Sequence, residues 1–189
     1  MYKYLLNIIL FTFCGILSAQ TYSLSGTIKT VSESGVGGVE LEVVDPNGDT
    51  VGSLITDCTG TYAFDNLESG LTYTLRTSKD ASVFNGNSAF DMVLISKYLL
   101  GTHEFDNPFQ LAAADNNESG HVSVADIAWL QTIILAIEEN YPGENWLFFR
   151  PADSQARTSF DFVFSNDTTD FDFISVKKGD VNDSADPCQ

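Results

Sequence analysis

Residues 80–101 and 115–136 carry one pattern twice, at a fixed offset of 35 residues. Each copy opens on an aspartate and crosses a polar loop to a second aspartate. An apolar stretch with the three- and four-residue spacing of a helix follows. Asp80 maps to Asp115, Ser88 to Ser123 and Asp91 to Asp126, while Met92, Leu94, Ile95 and Tyr98 map to Ile127, Trp129, Leu130 and Ile133. Such a chain must bury two similar helices along a shared face and hold two polar loops at their N-terminal ends.

The second copy places side-chain oxygens at the first, third and fifth loop positions, Asp115, Asn117 and Ser119, and glycine at the sixth, Gly120. A twelve-residue calcium loop needs this arrangement, because a hard cation takes about six to eight oxygens and the glycine supplies the sharp turn. His121 then contributes its backbone carbonyl, and Asp126 closes the loop from the first helical turn, beside the capping Ser123. The first copy keeps Asp80, Ser82 and Asp91 but has Phe84 at the fifth position, where only a backbone oxygen or water can serve. Weaker calcium binding is expected there.

These loop-helix units resemble bacterial dockerin type I repeats, and Asp115 to Leu135 carries the resemblance best. The resemblance implies a calcium-dependent module that docks onto a cohesin-like or other extracellular protein, in complexes often tied to polysaccharide degradation. Dockerins commonly show a Ser-Thr pair at each helix start, whereas this chain has Ala89-Phe90 and Val124-Ala125. Those four residues are the candidate partner contacts.

Residues 1–19 read as a secretory signal peptide, with Lys3 at the start, an apolar stretch from Leu5 to Leu17, and small residues ending at Ala19. That run is shorter than the ~20 apolar residues a membrane span requires. The whole chain has 26 acidic residues against 9 basic ones, a net charge of −17. Nucleic acid and anionic membranes are therefore poor partners, since phosphate recognition needs clustered Lys and Arg. Cations are the natural ligands. Cys58 and Cys188 remain after cleavage; they permit one intramolecular disulfide, with free or intermolecular thiols as the alternative.

Residues 20–79 alternate short β-patterned runs with Gly-, Asn- and Asp-rich turns, which predicts a small β-sandwich. Gly37, Val39, Leu41 and Val43, then Thr56 to Phe64, then Gly70 to Leu75, are similar to carboxypeptidase-regulatory-like and collagen-adhesin B-type domains. That resemblance implies a prealbumin-like sandwich used as a stalk or spacer, sometimes classed as a carbohydrate-binding-like fold. Tyr62, Phe64 and Tyr73 alternate as core residues do; a sugar-stacking platform is the other reading of them.

Residues 80–140 form the repeat, with a short helix from Pro108 to Ala114 between its two units. Residues 141–178 return to a β-pattern so rich in phenylalanine that it must be covered. A Phe-rich hairpin packed on the repeat helices is expected. Residues 179–189 are acidic, and Asp180, Asn182 and Ser184 read as the opening of a further calcium loop or as a solvated tail.

No nucleophile elbow, zinc spacing or phosphate loop is present, and there are only two histidines. The expected fold is a multidomain α+β chain: an all-β prealbumin-like sandwich, then a dockerin-like paired calcium loop-helix repeat with the Phe-rich hairpin on it. The expected role is a secreted or cell-surface, non-catalytic, calcium-binding assembly module. The alternative is a carbohydrate-binding accessory protein in which calcium only braces the fold.

Overall fold

The computed structural model describes residues 20–164, 166–168 and 170–189; the signal-peptide reading of residues 1–19 lies outside them. Five strands come first: β1 (Thr21–Lys29), β2 (Glu40–Val44), β3 (Thr50–Ile55), β4 (Thr61–Glu68) and β5 (Thr72–Ser78). Three helices follow, α1 (Ala89–Leu99), α2 (Pro108–Ala114) and α3 (Val124–Ile134), and then β6 (Trp146–Phe149), β7 (Ser159–Val163) and β8 (Phe173–Lys177).

The strands make two four-stranded sheets, ordered β4-β1-β8-β6 and β3-β2-β5-β7. The expected Phe-rich hairpin does not form, because β7 and β8 lie in different sheets. β7 extends the second sheet antiparallel to β5, with Phe160 opposite Leu75 and Phe162 opposite Tyr73. β8 runs parallel to β1, Ile28 opposite Phe173, and antiparallel to β6. The sandwich therefore needs strands from both ends of the described chain, and the helices are an insertion between β5 and β6.

The pleat explains why β6 is apolar, and β8 largely buried, on both sides. Trp146, Phe148 and Phe173 point into the sandwich core with Leu24, Ile28, Leu41, Val43 and Leu75. Leu147, Phe149 and Val176 point the other way, into a second core with Ile95, Ala113, Ala114, Leu130 and Ile133. One sheet thus serves two cores. The expected packing of Phe-rich strands on the helices holds only for this outer face.

Tyr62, Phe64 and Tyr73 are 5%, 7% and 3% exposed, so they are sandwich core and not a sugar platform. Cys58 and Cys188 are joined in a disulfide with Cα atoms 5.4 Å apart, which ties the end of the chain to the β3–β4 turn. Among the described residues, no helix is long and apolar enough to cross a membrane.

Candidate functional site

Both repeat helices begin in the same way. Ser88 caps α1 and Ser123 caps α3, each in extended backbone, and each helix carries an aspartate at its third residue that completes a capping box. Asp126 Oδ2 accepts from Ser123 N at 2.8 Å and from Ser123 Oγ at 3.0 Å. Asp91 Oδ2 accepts from Ser88 N and Oγ at 2.9 and 2.7 Å. Both aspartates are wholly buried.

The Asp115 loop folds around its own carboxylates. Asp115 accepts from Ser119 N at 2.9 Å through Oδ1 and from Gly120 N at 2.7 Å through Oδ2. Asn117 Oδ1 accepts from Ser119 N at 3.0 Å, and Ser119 Oγ donates to the His121 carbonyl at 3.1 Å. Asp126 Oδ1 accepts from Asn117 N at 3.1 Å, which draws the closing carboxylate to the loop's third residue. The turn needs left-handed backbone at Glu118 (φ 56°) and Gly120 (φ 84°). The sequence-predicted set Asp115, Asn117, Ser119, His121 and Asp126 therefore sits in one loop.

The donor set consists of two carboxylates, an amide oxygen, a hydroxyl and a carbonyl. Among the described residues, no three His, Cys, Asp or Glu side chains gather as a metal cluster. A soft-metal centre does not fit such a set, but a hard cation does, since it accepts neutral oxygens alongside few charges. Asn116, the second residue of the loop, is wholly buried. Its Nδ2 donates to the carbonyls of Ala114 and Asp126, while its buried Oδ1 has no protein donor.

The first loop is different. Asp80, Ser82 and Phe84 are exposed, and Ser82 bonds only within the local turn, to Phe84 N and Asn85 N. The partner of Asp91 is instead Val181 in the tail, whose N–H donates to Asp91 Oδ1 at 3.1 Å. The structure thus brings Asp91 to Val181 and leaves Asp80, Ser82 and Phe84 aside. The tail carboxylate Asp180 is 4% exposed, and burial raises the pKa of Asp91 and Asp180 alike.

The candidate partner contacts lie on the surface. Phe90 is 56% and Val124 75% exposed, with Ala89 and Ala125 also exposed beside them. Val93, Leu100, Leu135 and Ile137 continue the apolar surface along and beyond the two helices.

The sequence of this sandwich and its helical insert matches one protein-family model. Residues 25–121, just over half of the chain, match the model of the SdrD B-like domain. The chain belongs to this family. The match with the SdrD B-like domain runs through β1 to β5, then through α1 and α2, and ends at His121 inside the Asp115 loop. The two-sheet sandwich fits the prealbumin-like form expected of a collagen-adhesin B-type domain. Two curated relatives are named serine-aspartate repeat-containing protein F, one from Staphylococcus epidermidis strain ATCC 12228 / FDA PCI 1200 and one from Staphylococcus epidermidis. Each is 29% identical over 107 residues, which is 56% of this chain. The chain spans only 7% of the length of the first and 6% of the second.

Proposed function

We propose that this chain is a secreted or cell-surface attachment module without catalytic activity. In it, a B-like sandwich acts as a spacer and the helical insert as a calcium-dependent docking element. The single observation that carries the reading is the Asp115 loop, whose five oxygen donors are held in one hydrogen-bonded turn with Asp126 buried at its close. Asp115, Asn117, Ser119, the His121 carbonyl and Asp126 are the residues that would hold the ion. Calcium suits them better than magnesium, which keeps its water and prefers tighter octahedral sites. A bound cation would supply the charge that offsets the buried Asp126 carboxylate and would brace the start of α3.

The docking reading rests on Phe90 and Val124, exposed apolar residues at the two helix starts. An extracellular protein is the proposed partner, with a cohesin-like domain as the specific candidate. The SdrD B-like family, the disulfide and the strongly acidic composition support an extracellular setting. Burial of Tyr62, Phe64 and Tyr73 removes the aromatic platform that a carbohydrate-binding role would have used.

The test is capture of secreted proteins, and of purified cohesin-like domains, on the immobilised full chain with calcium and with chelator. The reading expects calcium-dependent capture that Phe90→Ala abolishes while calcium-dependent melting persists, as for a buried aromatic anchor in an interface. Capture indifferent to both chelator and Phe90→Ala, or glycan binding undiminished in chelator, would overturn it.

A further inference from the structure

We propose a second divalent-cation site, built from two chain segments: Asp180, Asn182 and Ser184 of the tail together with the Gly86 carbonyl and Asp91 of the α1 loop. It rests on the cation-binding reading of the Asp115 loop and extends it to residues that no continuous loop would join.

The tail repeats the bonds that Asp115 accepts in the first half of its loop. Ser184 N and Ala185 N donate to Asp180 Oδ1 and Oδ2 at 3.1 and 2.7 Å, as Ser119 N and Gly120 N do to Asp115 at 2.9 and 2.7 Å. The fourth residue of each turn, Asp183 and Glu118, has the same left-handed φ of 56°. The second half of the loop comes from elsewhere. Ser184 Oγ donates to the carbonyl of Gly86 at 3.2 Å, and Ser119 Oγ donates to that of His121 at 3.1 Å. Gly86 is the residue that the 35-residue offset places opposite His121, just as it places Asp91 opposite Asp126. The junction is tied further by Val181 N to Asp91 and by Asn85 pairing with the backbone of Asp186 through both its Nδ2 and Oδ1.

Three features of the junction bear on what it can hold. Asp91 is wholly buried and Asp180 is 4% exposed, yet neither carboxylate is in an ion pair among the described residues. Two buried carboxylates without a direct ion pair are costly to ionise unless something positive joins them. The ammonium of Lys177 feels the charge of Asp180, but it is buried without a hydrogen-bond partner and so makes no direct bond to either carboxylate. The second observation is an orphan acceptor: Asn87 Oδ1 is buried with no donor, and a Cβ built on Gly179, the residue before Asp180, would stand 2.5 Å from it. The third is clearance. Gly86 has φ +79°, and a Cβ there would meet Asp180 Oδ2 at 2.7 Å, so only glycine admits the carboxylate to this position.

The composite arrangement also explains Phe84. With the tail supplying the first, third and fifth positions, the loop-one residues Asp80, Ser82 and Phe84 have no ligand role to fill. Cys188, two residues beyond Asp186, is pinned to Cys58, and Gly37 N donates to the Pro187 carbonyl at 3.0 Å. The disulfide therefore anchors the end of the tail on the β3–β4 turn, while hydrogen bonds join the tail to the α1 loop.

The experiment is calcium calorimetry, with terbium luminescence as a second readout, on the full chain with its disulfide intact. The parent should bind two ions. Asp180→Asn and Asn182→Ala should each leave one, or weaken one site by ~10-fold or more as charge or ligands are lost. Asp126→Asn should remove the other ion. Asp80→Asn should leave two sites of unchanged affinity, which separates the composite site from a continuous first loop. A single ion in the parent, lost entirely in Asp126→Asn, would overturn the composite site and leave the Asp115 reading intact; so would a loss caused by Asp80→Asn with Asp180→Asn silent. No ion bound to the parent would overturn both.

Discussion

Lys178, the residue that follows β8 and wholly buried, places its Nζ 2.6 Å from Oε1 of Glu118, the fourth residue of the Asp115 loop. The same ammonium donates to the Pro142 carbonyl. A strand of the sandwich thus grips the candidate cation loop directly, and the grip is asymmetric because Glu118 is 48% exposed. Removing the carboxylate leaves a buried ammonium short of a partner, whereas removing the lysine leaves a carboxylate that water can reach.

Glu118→Gln should therefore destabilise the protein by about 2 kcal/mol, below the range for a fully buried pair because one partner is solvated. Lys178→Met should cost less than Glu118→Gln. Chemical denaturation of the two variants would check the ranking, and a larger loss for Lys178→Met would contradict it.

Phe149 is the residue through which β6 enters the helical core, stacked edge-on against Phe109 with ring centroids 5.0 Å apart. Because β6 also contributes Trp146 and Phe148 to the sandwich, the two cores should melt together. Phe149→Ala should lower stability by about 3 to 5 kcal/mol, the usual cost of emptying a large aromatic site. The loss should appear in a single transition reported equally by helical and β signals. Two separated transitions, with the β signal unmoved, would show that the insert unfolds by itself.

The five N-terminal strands, the two serine caps, the Pro108–Ala114 helix and the Asp115 loop were legible because each is written in local spacing. Strand partners were not. Nothing in the alternation of Phe171 and Phe173 tells that Phe173 pairs with Ile28, and the same apolar run fits a hairpin on helices or a strand between two cores. The doubly apolar stretch from Trp146 to Phe149 was the one available signal, since a strand lacking polar alternation is buried on both faces. The tail's loop-like opening was also visible, but its closing carboxylate, Asp91, precedes it in the chain, so a search for a ligand downstream of Ser184 could not find it.

Lys177 sets a pH dependence of opposite sign to that of a paired lysine. Its ammonium is buried against the Tyr141 ring with no hydrogen-bond acceptor, and burial lowers its pKa to about 8 from the ordinary lysine value of 10.5. In this window the unfolded chain holds the proton more tightly than the folded one. The penalty is complete below pH 8 and is relieved as the pH rises from 8 to 10.5. Lys177→Met in chelator should be more stable than the parent at pH 7 by up to about 3 kcal/mol, and the advantage should shrink toward pH 10.5. An advantage that is absent at pH 7, or that does not change with pH, would contradict the assignment.

Thermal unfolding of the full chain in calcium, magnesium and chelator tests most directly whether calcium binds the folded insert and thereby stabilises the whole sandwich. A cation bound only by the folded form adds about 2.7 kcal/mol at a hundredfold excess over Kd. Calcium should raise the single transition by several degrees, magnesium by less, and Asp126→Asn should remove most of the calcium effect. Superimposable curves in calcium and chelator would contradict the account.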